Sequence, residues 1–241
     1  MKQINVLHII GSLQLGGAEK SLLLLLQNID RAKFNPVVVT MYSEGVSDFF
    51  YDDFRKLNIP LYHLHLKSWR DIETFRGLRQ IIRRHRIDIA HSHYGALEFF
   101  GTLYARLAGV RHCVYTKHNL RFKTSLLFKL GRILLNRILA ERILSISKTV
   151  TEHLVNTEYA SRSRIRLVYN PVENPKIPNA AHQASIKQKW QIPTGQFIIG
   201  NTSRFDSSKG FDIFYLALKY LQKMGIPVHT VVMGNESSQM E

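Results

Sequence analysis

The sequence has little cysteine, few acidic residues and no long apolar run. Cys113 is its one cysteine, which excludes an internal disulfide framework and a cysteine-based zinc site. The apolar runs are short, and the five leucines at residues 22–26 fall far below the about 20 residues of a membrane-spanning helix. Asn5 and His8 interrupt the apolar segment at the N-terminus, and no clean cleavage site follows, so a signal peptide is not expected either. These absences favour a cytoplasmic protein.

The shortage of acidic residues leaves the chain strongly basic. Its 33 Lys and Arg against 18 Asp and Glu give a net charge of +15, all of it within residues 1–194. Such a surface attracts phosphorylated substrates, nucleic acid or an anionic membrane. No RNA- or DNA-binding motif accompanies it, so we expect no nucleic-acid partner. The 45% hydrophobic fraction is that of a globular protein.

Short runs rich in Val and Ile alternate with helical patterns over the first 170 residues. Strands that alternate with helices in this way are typical of βαβ units and a parallel sheet. The sequence therefore predicts an α/β fold, a doubly wound, Rossmann-like parallel sheet. Seven strands are predicted, at 4–10, 36–41, 61–66, 88–93, 113–116, 143–146 and 165–169. Leu and polar residues alternate over 61–66, so we place that strand near an edge of the sheet.

Three prolines between residues 170 and 179 interrupt this pattern. A strand, a helix and a second strand follow from residue 197 onwards. We expect an N-terminal domain over 1–170, a linker and connecting helix over 171–194, and a partial second Rossmann-like domain over 195–241. Two strands do not complete such a domain.

The first predicted strand ends in a glycine-containing loop at the start of a helix. Gly16 and Gly17 allow close backbone approach, and the helix N-terminus offers free N–H groups to an anion. The loop is neither G-x-G-x-x-G nor a Walker A sequence, so a dehydrogenase and a P-loop NTPase lose support. A simple tight turn is the alternative.

Histidines follow two further strands at the same carboxyl edge, where open α/β sheets bind ligands. His91 and His93 end the fourth strand, and Lys117, His118 and Asn119 end the fifth. A histidine there could bind a sugar hydroxyl or phosphate, or move a proton; the alternative is a packing role. We expect no metal at His91, His93 and His118, because no carboxylate or thiolate set stands at ligand spacing.

Two other basic segments stand out. Arg204 and Lys209 bracket a loop before a helix, which suits a diphosphate, although a solvated basic loop is the alternative. Lys129, Arg132 and Asn136 form a narrow polar stripe on an otherwise apolar helix. That helix is either buried or lies in a membrane interface.

Together these segments resemble the retaining glycosyltransferases of family 4, which have the GT-B architecture. Each motif is weak alone, but their order along the whole chain is specific. The motifs are residues 9–19 (IIGSLQLGGAE), 88–93 (DIAHSH), 116–118 (TKH), 147–150 (SKTV), 168–172 (VYNPV) and 204–212 (RFDSSKGFD).

The resemblance implies a transferase that moves a sugar from a nucleotide-diphosphate donor to a glycan or lipid-linked glycan, with retention and without a metal or other cofactor. Gly16 and Gly17 would contact the donor diphosphate, and His118 the donor sugar. Arg204 and Lys209 would neutralise the diphosphate as it leaves. His91, His93, Lys117 and Asn119 become acceptor-side candidates.

The family's pair of second-domain glutamates, eight positions apart, is absent from the sequence. We therefore expect the C-terminal domain to be truncated and the 241-residue chain to be inactive or incomplete. The alternatives are a non-catalytic, membrane-associated remnant and a nucleotide-sugar epimerase of GT-B shape. The basic first domain favours a peripheral position on the inner face of the cytoplasmic membrane.

Overall fold

The computed structural model describes residues 3–43, 45–68, 71–120, 125–175, 177–193, 195–203, 205 and 209–234. The chain divides into two compact units, Met1–Glu173 and Asn174–Glu241, here called unit 1 and unit 2.

Unit 1 alternates strands and helices throughout. Its strands are β1 (Ile4–Ile10), β2 (Phe34–Thr40), β3 (Leu61–His63), β4 (Ile89–His93), β5 (His112–Lys117), β6 (Arg142–Ser145) and β7 (Ile165–Leu167). Its α-helices are α1 (Gly17–Asn28), α2 (Tyr51–Lys56), α3 (Ile72–Arg84), α4 (Leu97–Leu107), α5 (Leu126–Leu134) and α6 (Lys148–Asn156). Short 3-10 turns cover Gly45–Ser47 and Arg162–Arg164, and a π-helical turn, Leu135–Leu139, continues α5.

The seven strands form one parallel sheet in the order β3-β2-β1-β4-β5-β6-β7. This confirms the predicted doubly wound α/β fold. The strand predicted at 61–66 does lie at an edge, but it pairs only over Leu61–His63. Helix α5 begins directly after Ser125, whose side chain accepts a hydrogen bond from the Phe128 N–H.

Helices cover both faces of the sheet because its strands are apolar on both sides. Leu7 and Ile9 of β1 pack with α3 and α4, whereas Ile10 packs with α1 and α2. Tyr115 of β5 packs with the π-helical turn and with α6. Alternation along β1 therefore places α3 and α4 on one face, and α1 and α2 on the other.

Unit 2 contains α7 (Ala180–Lys189), β8 (Phe197–Thr202), α8 (Phe211–Lys223) and β9 (Val228–Met233). The two strands are parallel and directly paired. They have the strand–helix–strand order of the start of a second Rossmann-like domain, as the sequence predicted.

Candidate functional site

The carboxyl edge of the unit 1 sheet collects most of the predicted site residues. The β1–α1 loop lies at its centre, because β1 is flanked by β2 and β4. Buried Asp48 holds this loop: its carboxylate accepts hydrogen bonds from the Leu13 N–H at 2.8 Å, from Gln14 Nε2 at 2.8 Å and from Ser43 Oγ at 2.5 Å. The loop is thus fixed before any ligand binds.

Gly16 and Gly17 lie at the N-terminus of α1, where they were predicted. Gly16 is the N-cap and provides no side-chain cap, so the first N–H groups of the helix lack that partner. A Cβ atom on Gly17 would meet nothing within 4 Å. The backbone is therefore open at Gly17, whereas the carboxylate of Glu19 lies where a Cβ atom on Gly16 would be.

Three buried histidines form a cluster on the α1 face of the sheet. His8 lies opposite His91 in the parallel register, and His93 follows two residues later on the same face. The ring centroids of His91 and His93 are 4.0 Å apart, and His8 Nδ1 lies 3.2 Å from His93 Nε2. His91 Nε2 lies 2.7 Å from Thr116 Oγ1.

Burial keeps these imidazoles uncharged. Desolvation lowers the pKa of His8 and of His118 from 6.5 to about 4. Burial, together with the neighbouring imidazoles, lowers the pKa values of His91 and His93 well below 6.5. The cluster therefore offers neutral hydrogen-bonding groups at physiological pH.

Several buried polar atoms near this edge have no hydrogen-bond partner among the described residues. They are His8 Nε2, His93 Nδ1, His118 Nε2 and Asn119 Oδ1. Because a buried polar atom without a hydrogen bond destabilises the folded protein, these atoms favour a ligand that would supply the missing hydrogen bonds. The His118 ring lies 6.1 Å from the His93 ring, centroid to centroid.

The nitrogen atoms of His8, His91 and His93 all lie within 4.8 Å of one another, close enough for a shared metal ion. In the described part of the chain this is the one such group, and it contains His8 in place of His118. It has no carboxylate to balance a buried cation. We assign it no metal.

The prediction for Lys117 was wrong. This residue was predicted to face the acceptor, but its side chain is 0% exposed and points into the protein core. Its Nζ pairs with Glu98 Oε2 at 3.1 Å and with Glu158 Oε1 at 2.8 Å. Side chains alternate along a strand, so Lys117 faces the same side as Tyr115 and cannot reach a ligand at the edge.

Arg132 completes a buried quartet with Lys117, Glu98 and Glu158. Its guanidinium contacts Glu98 Oε2 at 2.9 Å and also pairs with Glu158 Oε2. The quartet balances two cations against two carboxylates and joins α4, β5, α5 and the turn after α6. Burial acts to raise the pKa of Glu158, but Arg132 and Lys117 outweigh it and lower that pKa.

Polar neighbours extend the quartet. Arg132 donates to the Tyr115 hydroxyl at 3.2 Å, and that hydroxyl donates to Asn136 Oδ1 at 2.5 Å. Asn136 in turn donates to the Glu158 carbonyl at 2.6 Å. The stripe that the sequence placed on this helix therefore faces inward at Arg132 and Asn136, while Lys129 is exposed.

The predicted donor residues of unit 2 are only partly described. Lys209 is exposed and directly precedes Gly210, the N-cap of α8. Arg204 lies outside the described residues.

A doubly wound unit followed by the start of a second Rossmann-like unit defines the class of open α/β proteins, in which ligand sites lie at the carboxyl ends of the strands. The chain matches the family model Glycosyltransferase Family 4 over residues 15–174. It therefore belongs to that family.

Relatives of this chain share its fold. It is 21% identical, over 91% of its length, to the Escherichia coli UDP-Gal:alpha-D-GlcNAc-diphosphoundecaprenol alpha-1,3-galactosyltransferase, covering 58% of that protein. It matches a Rickettsia africae glycosyltransferase structure with a TM-score of 0.77 at 17% identity, over 97% of this chain and 61% of that one. It also matches the structure of Anabaena HepE in complex with UDP and glucose, with a TM-score of 0.76 at 16% identity, over 98% of this chain and 62% of that one. The chain thus spans about three fifths of the proteins it matches.

Among the described residues, no helix is both long and apolar enough to cross a bilayer.

Sequence reasoning missed several residues that shape the site. His8 was the most detectable, since a histidine within an apolar strand needs a polar partner. Glu98 and Glu158 gave no local signal, because their partners come from distant elements. Asp48 acts through a loop contact 35 residues away.

The quartet gives a prediction about stability. Arg132→Met should lower the free energy of unfolding by about 3–5 kcal/mol, because it leaves two buried carboxylates with one cation. Lys129→Met, on the exposed face of the same helix, should change it by less than about 0.5 kcal/mol. Urea denaturation measures both. Equal midpoints for the two variants would contradict the inward placement of Arg132.

The buried histidines give a prediction about pH. The unfolded chain takes up protons near pH 6.5, whereas the folded His8 and His118 do so only near pH 4. Stability is therefore fully present above pH 6.5 and should fall below it, by about 1.4 kcal/mol per pH unit for each such histidine. The free energy of unfolding, measured by urea denaturation between pH 7 and pH 5, should depend less steeply on pH in His118→Gln than in the wild type. His182→Gln, at an exposed site, should keep the wild-type dependence of stability on pH. The same wild-type dependence in His118→Gln would contradict the neutral, buried state of His118.

Proposed function

We propose that this chain is part of a retaining glycosyltransferase that moves a sugar from a UDP-sugar to a glycan or lipid-linked glycan acceptor. The observation that carries the proposal is the set of unpartnered polar atoms at the carboxyl edge of unit 1, beside the open backbone at Gly17. The E. coli relative, named for a UDP-sugar donor and a diphosphoundecaprenol-linked acceptor, supports the donor and acceptor classes.

The predicted site residues other than Lys117 then have chemical roles. The N–H groups at Gly16 and Gly17 approach the donor diphosphate, and neutral His118 hydrogen-bonds the donor sugar. Lys209 and Arg204 take up charge on the leaving diphosphate. Asn119 and His93 provide hydrogen bonds to the acceptor side, and His91 supports His93 by ring contact.

Retention in this proposal needs no carboxylate nucleophile. The acceptor attacks from the face that the diphosphate leaves, and the departing phosphate takes the acceptor proton. Asp48, the buried carboxylate beside the first loop, is already committed to three hydrogen bonds. We favour a transferase over an epimerase because the matched family is one of glycosyltransferases.

We further propose that α5 docks on an anionic membrane that carries the acceptor. The quartet draws Arg132 inward to 5% exposure, which turns the apolar side of the helix outward, with Leu127 at 82%. The exposed apolar residues of α5 and its π-helical turn are Leu126, Leu127, Leu130, Ile133, Leu134 and Ile138. Lys129 and Arg137 accompany them, as in helices that lie in the bilayer interface.

Gly17 provides the test of the transferase. Gly17→Ala should leave the melting temperature unchanged or higher, because alanine favours a helix more than glycine does. It should lower kcat/KM for the donor by roughly 10²-fold, because the methyl group displaces the diphosphate. The assay is transfer of radiolabelled glucose or galactose from the UDP-sugar to GlcNAc-diphospho-undecaprenol, with protein expressed from the complete reading frame.

Gly131→Ala is the matched control, since its Cβ would make an ordinary 3.9 Å contact with Phe99. It should transfer at the wild-type rate, and His118→Ala should not transfer. Wild-type donor kinetics in Gly17→Ala would remove this loop from the donor site. Absence of transfer with both donors would refute the transferase proposal for these substrates.

Vesicle flotation tests the membrane proposal. The protein should bind vesicles that contain phosphatidylglycerol, and high salt should weaken binding, since each basic residue near the surface contributes about 1 kcal/mol. Leu127→Ser combined with Leu130→Ser should reduce binding. Leu107→Ser on α4, where the leucine is also exposed, should not. If the protein bound neutral vesicles as well as it bound vesicles with phosphatidylglycerol, at all salt concentrations, the electrostatic contribution to membrane binding would be contradicted.

A further inference from the structure

Non-glycine residues with left-handed backbone occur in two different settings. Most of them follow the last turn of a helix, where a left-handed residue closes the helix end. For example, Arg86 follows α3, and the next N–H donates back to Ile82 O at 3.1 Å. Those that follow a helix in this way are Asn58, Arg86, Tyr159 and Gln191.

Tyr94 is the exception among the described residues. It follows β4 and precedes α4, so it lies at the carboxyl edge, and its φ is 55°. Gly95, the next residue, also has positive φ, at 76°. Glycine adopts this conformation freely, whereas tyrosine does so at a conformational cost. Backbone strain at one position of a ligand-binding edge points to a function for the side chain that is kept there.

The surroundings of Tyr94 define what it could bind. The side chain is 45% exposed, directly follows His93, and its hydroxyl has no hydrogen-bond partner within the described residues. Tyr42, after β2, is also half exposed, and its ring lies 3.5 Å from the place a Gly11 Cβ would occupy. Because β2 and β4 flank β1, one tyrosine stands on each side of the β1–α1 loop.

We propose that Tyr94 forms a carbohydrate subsite, in which its ring stacks on the apolar face of a pyranose held at this edge. An aromatic ring beside a few convergent polar atoms is the usual composition of a small-ligand site. The unpartnered His93 Nδ1 and Asn119 Oδ1, which the proposed function assigns to the acceptor side, supply hydrogen bonds to the hydroxyl groups of the sugar. The inference rests on the proposed function, since it specifies the sugar side of the same edge.

Binding of simple glycosides tests the subsite without transfer. The 241-residue chain is titrated with methyl glycosides of glucose, galactose, mannose and N-acetylglucosamine, followed by saturation-transfer NMR and by the tyrosine ring resonances. We expect one or more glycosides to shift the Tyr94 ring signal, which is assigned by its loss in Tyr94→Phe. Tyr94→Phe should retain affinity within about twofold, whereas Tyr94→Ala and Tyr94→Gly should weaken it by about 2- to 12-fold.

Tyr159 is a matched control, because it is also a tyrosine with positive φ, 59°, and with 39% exposure, but lies at the opposite end of the sheet. Tyr159→Ala should bind as the wild type does. At both positions the Gly variant should melt at a higher temperature than the Ala variant, because glycine relieves the strain. If the stability changes are alike at the two positions but only the Tyr94 variants bind glycosides more weakly, the weaker binding does not come from a loss of folded protein.

Three results would overturn the subsite: no Tyr94 shift with any of the four glycosides, unchanged affinity in Tyr94→Ala, or equal losses in Tyr94→Ala and Tyr159→Ala. The transferase proposal would survive each of them, since transfer is measured separately. Glycoside binding that depends on Tyr94 in a protein that transfers no sugar would support the subsite and refute the transferase.

Discussion

The buried quartet of Glu98, Lys117, Arg132 and Glu158 is the interaction on which unit 1 depends most. Two carboxylates and two cations stabilise one another only as a complete set, because removal of any member leaves an unbalanced buried charge. The set joins three elements and a turn that are distant in the sequence. It fixes the end of β5, immediately before His118, and it also sets the rotation of α5 about its axis.

The same requirement gives the two faces of unit 1 different chemistry. On the α5 side, the charges of the quartet are internal and neutralised, and the apolar side chains of α5 are left outside beside the exposed Lys129. On the α1 side, the sheet carries a row of imidazoles that burial keeps neutral. A site built from neutral donors and acceptors suits an uncharged sugar, while the helix N-terminus at Gly17 suits its diphosphate. In the proposed function, the sugar and the diphosphate of the donor therefore meet different chemistry along one edge.

The sequence predicted the fold well and the contacts of individual side chains less well. Alternation of apolar strands and helices is a local signal, so the strands, their parallel arrangement and the edge position of β3 could all be derived. The ends of the predicted strands placed Gly16, His118 and Asn119 at the carboxyl edge for the same reason. The bounds of β3 and the π-helical turn after α5 were missed, since tertiary packing decides them.

Lys117 shows where such reasoning fails. Its position after an apolar strand and before His118 predicted a ligand contact, and nothing nearby indicated that Glu98 and Glu158 would draw it inward. The outward face of α5 depends on the same partners, which the helix pattern alone could not supply. Tyr94 gave no signal at all, because a left-handed residue is invisible in the composition of a loop.

The quartet also has a consequence for biosynthesis. Arg132 is made before Glu158, so a growing chain contains α5 before the last member of its charge set exists. During that interval Arg132 and Asn136, which are buried in the folded unit, lack the partners that Glu158 supplies. The segment from α5 onwards therefore cannot reach its folded packing until Glu158 has been made.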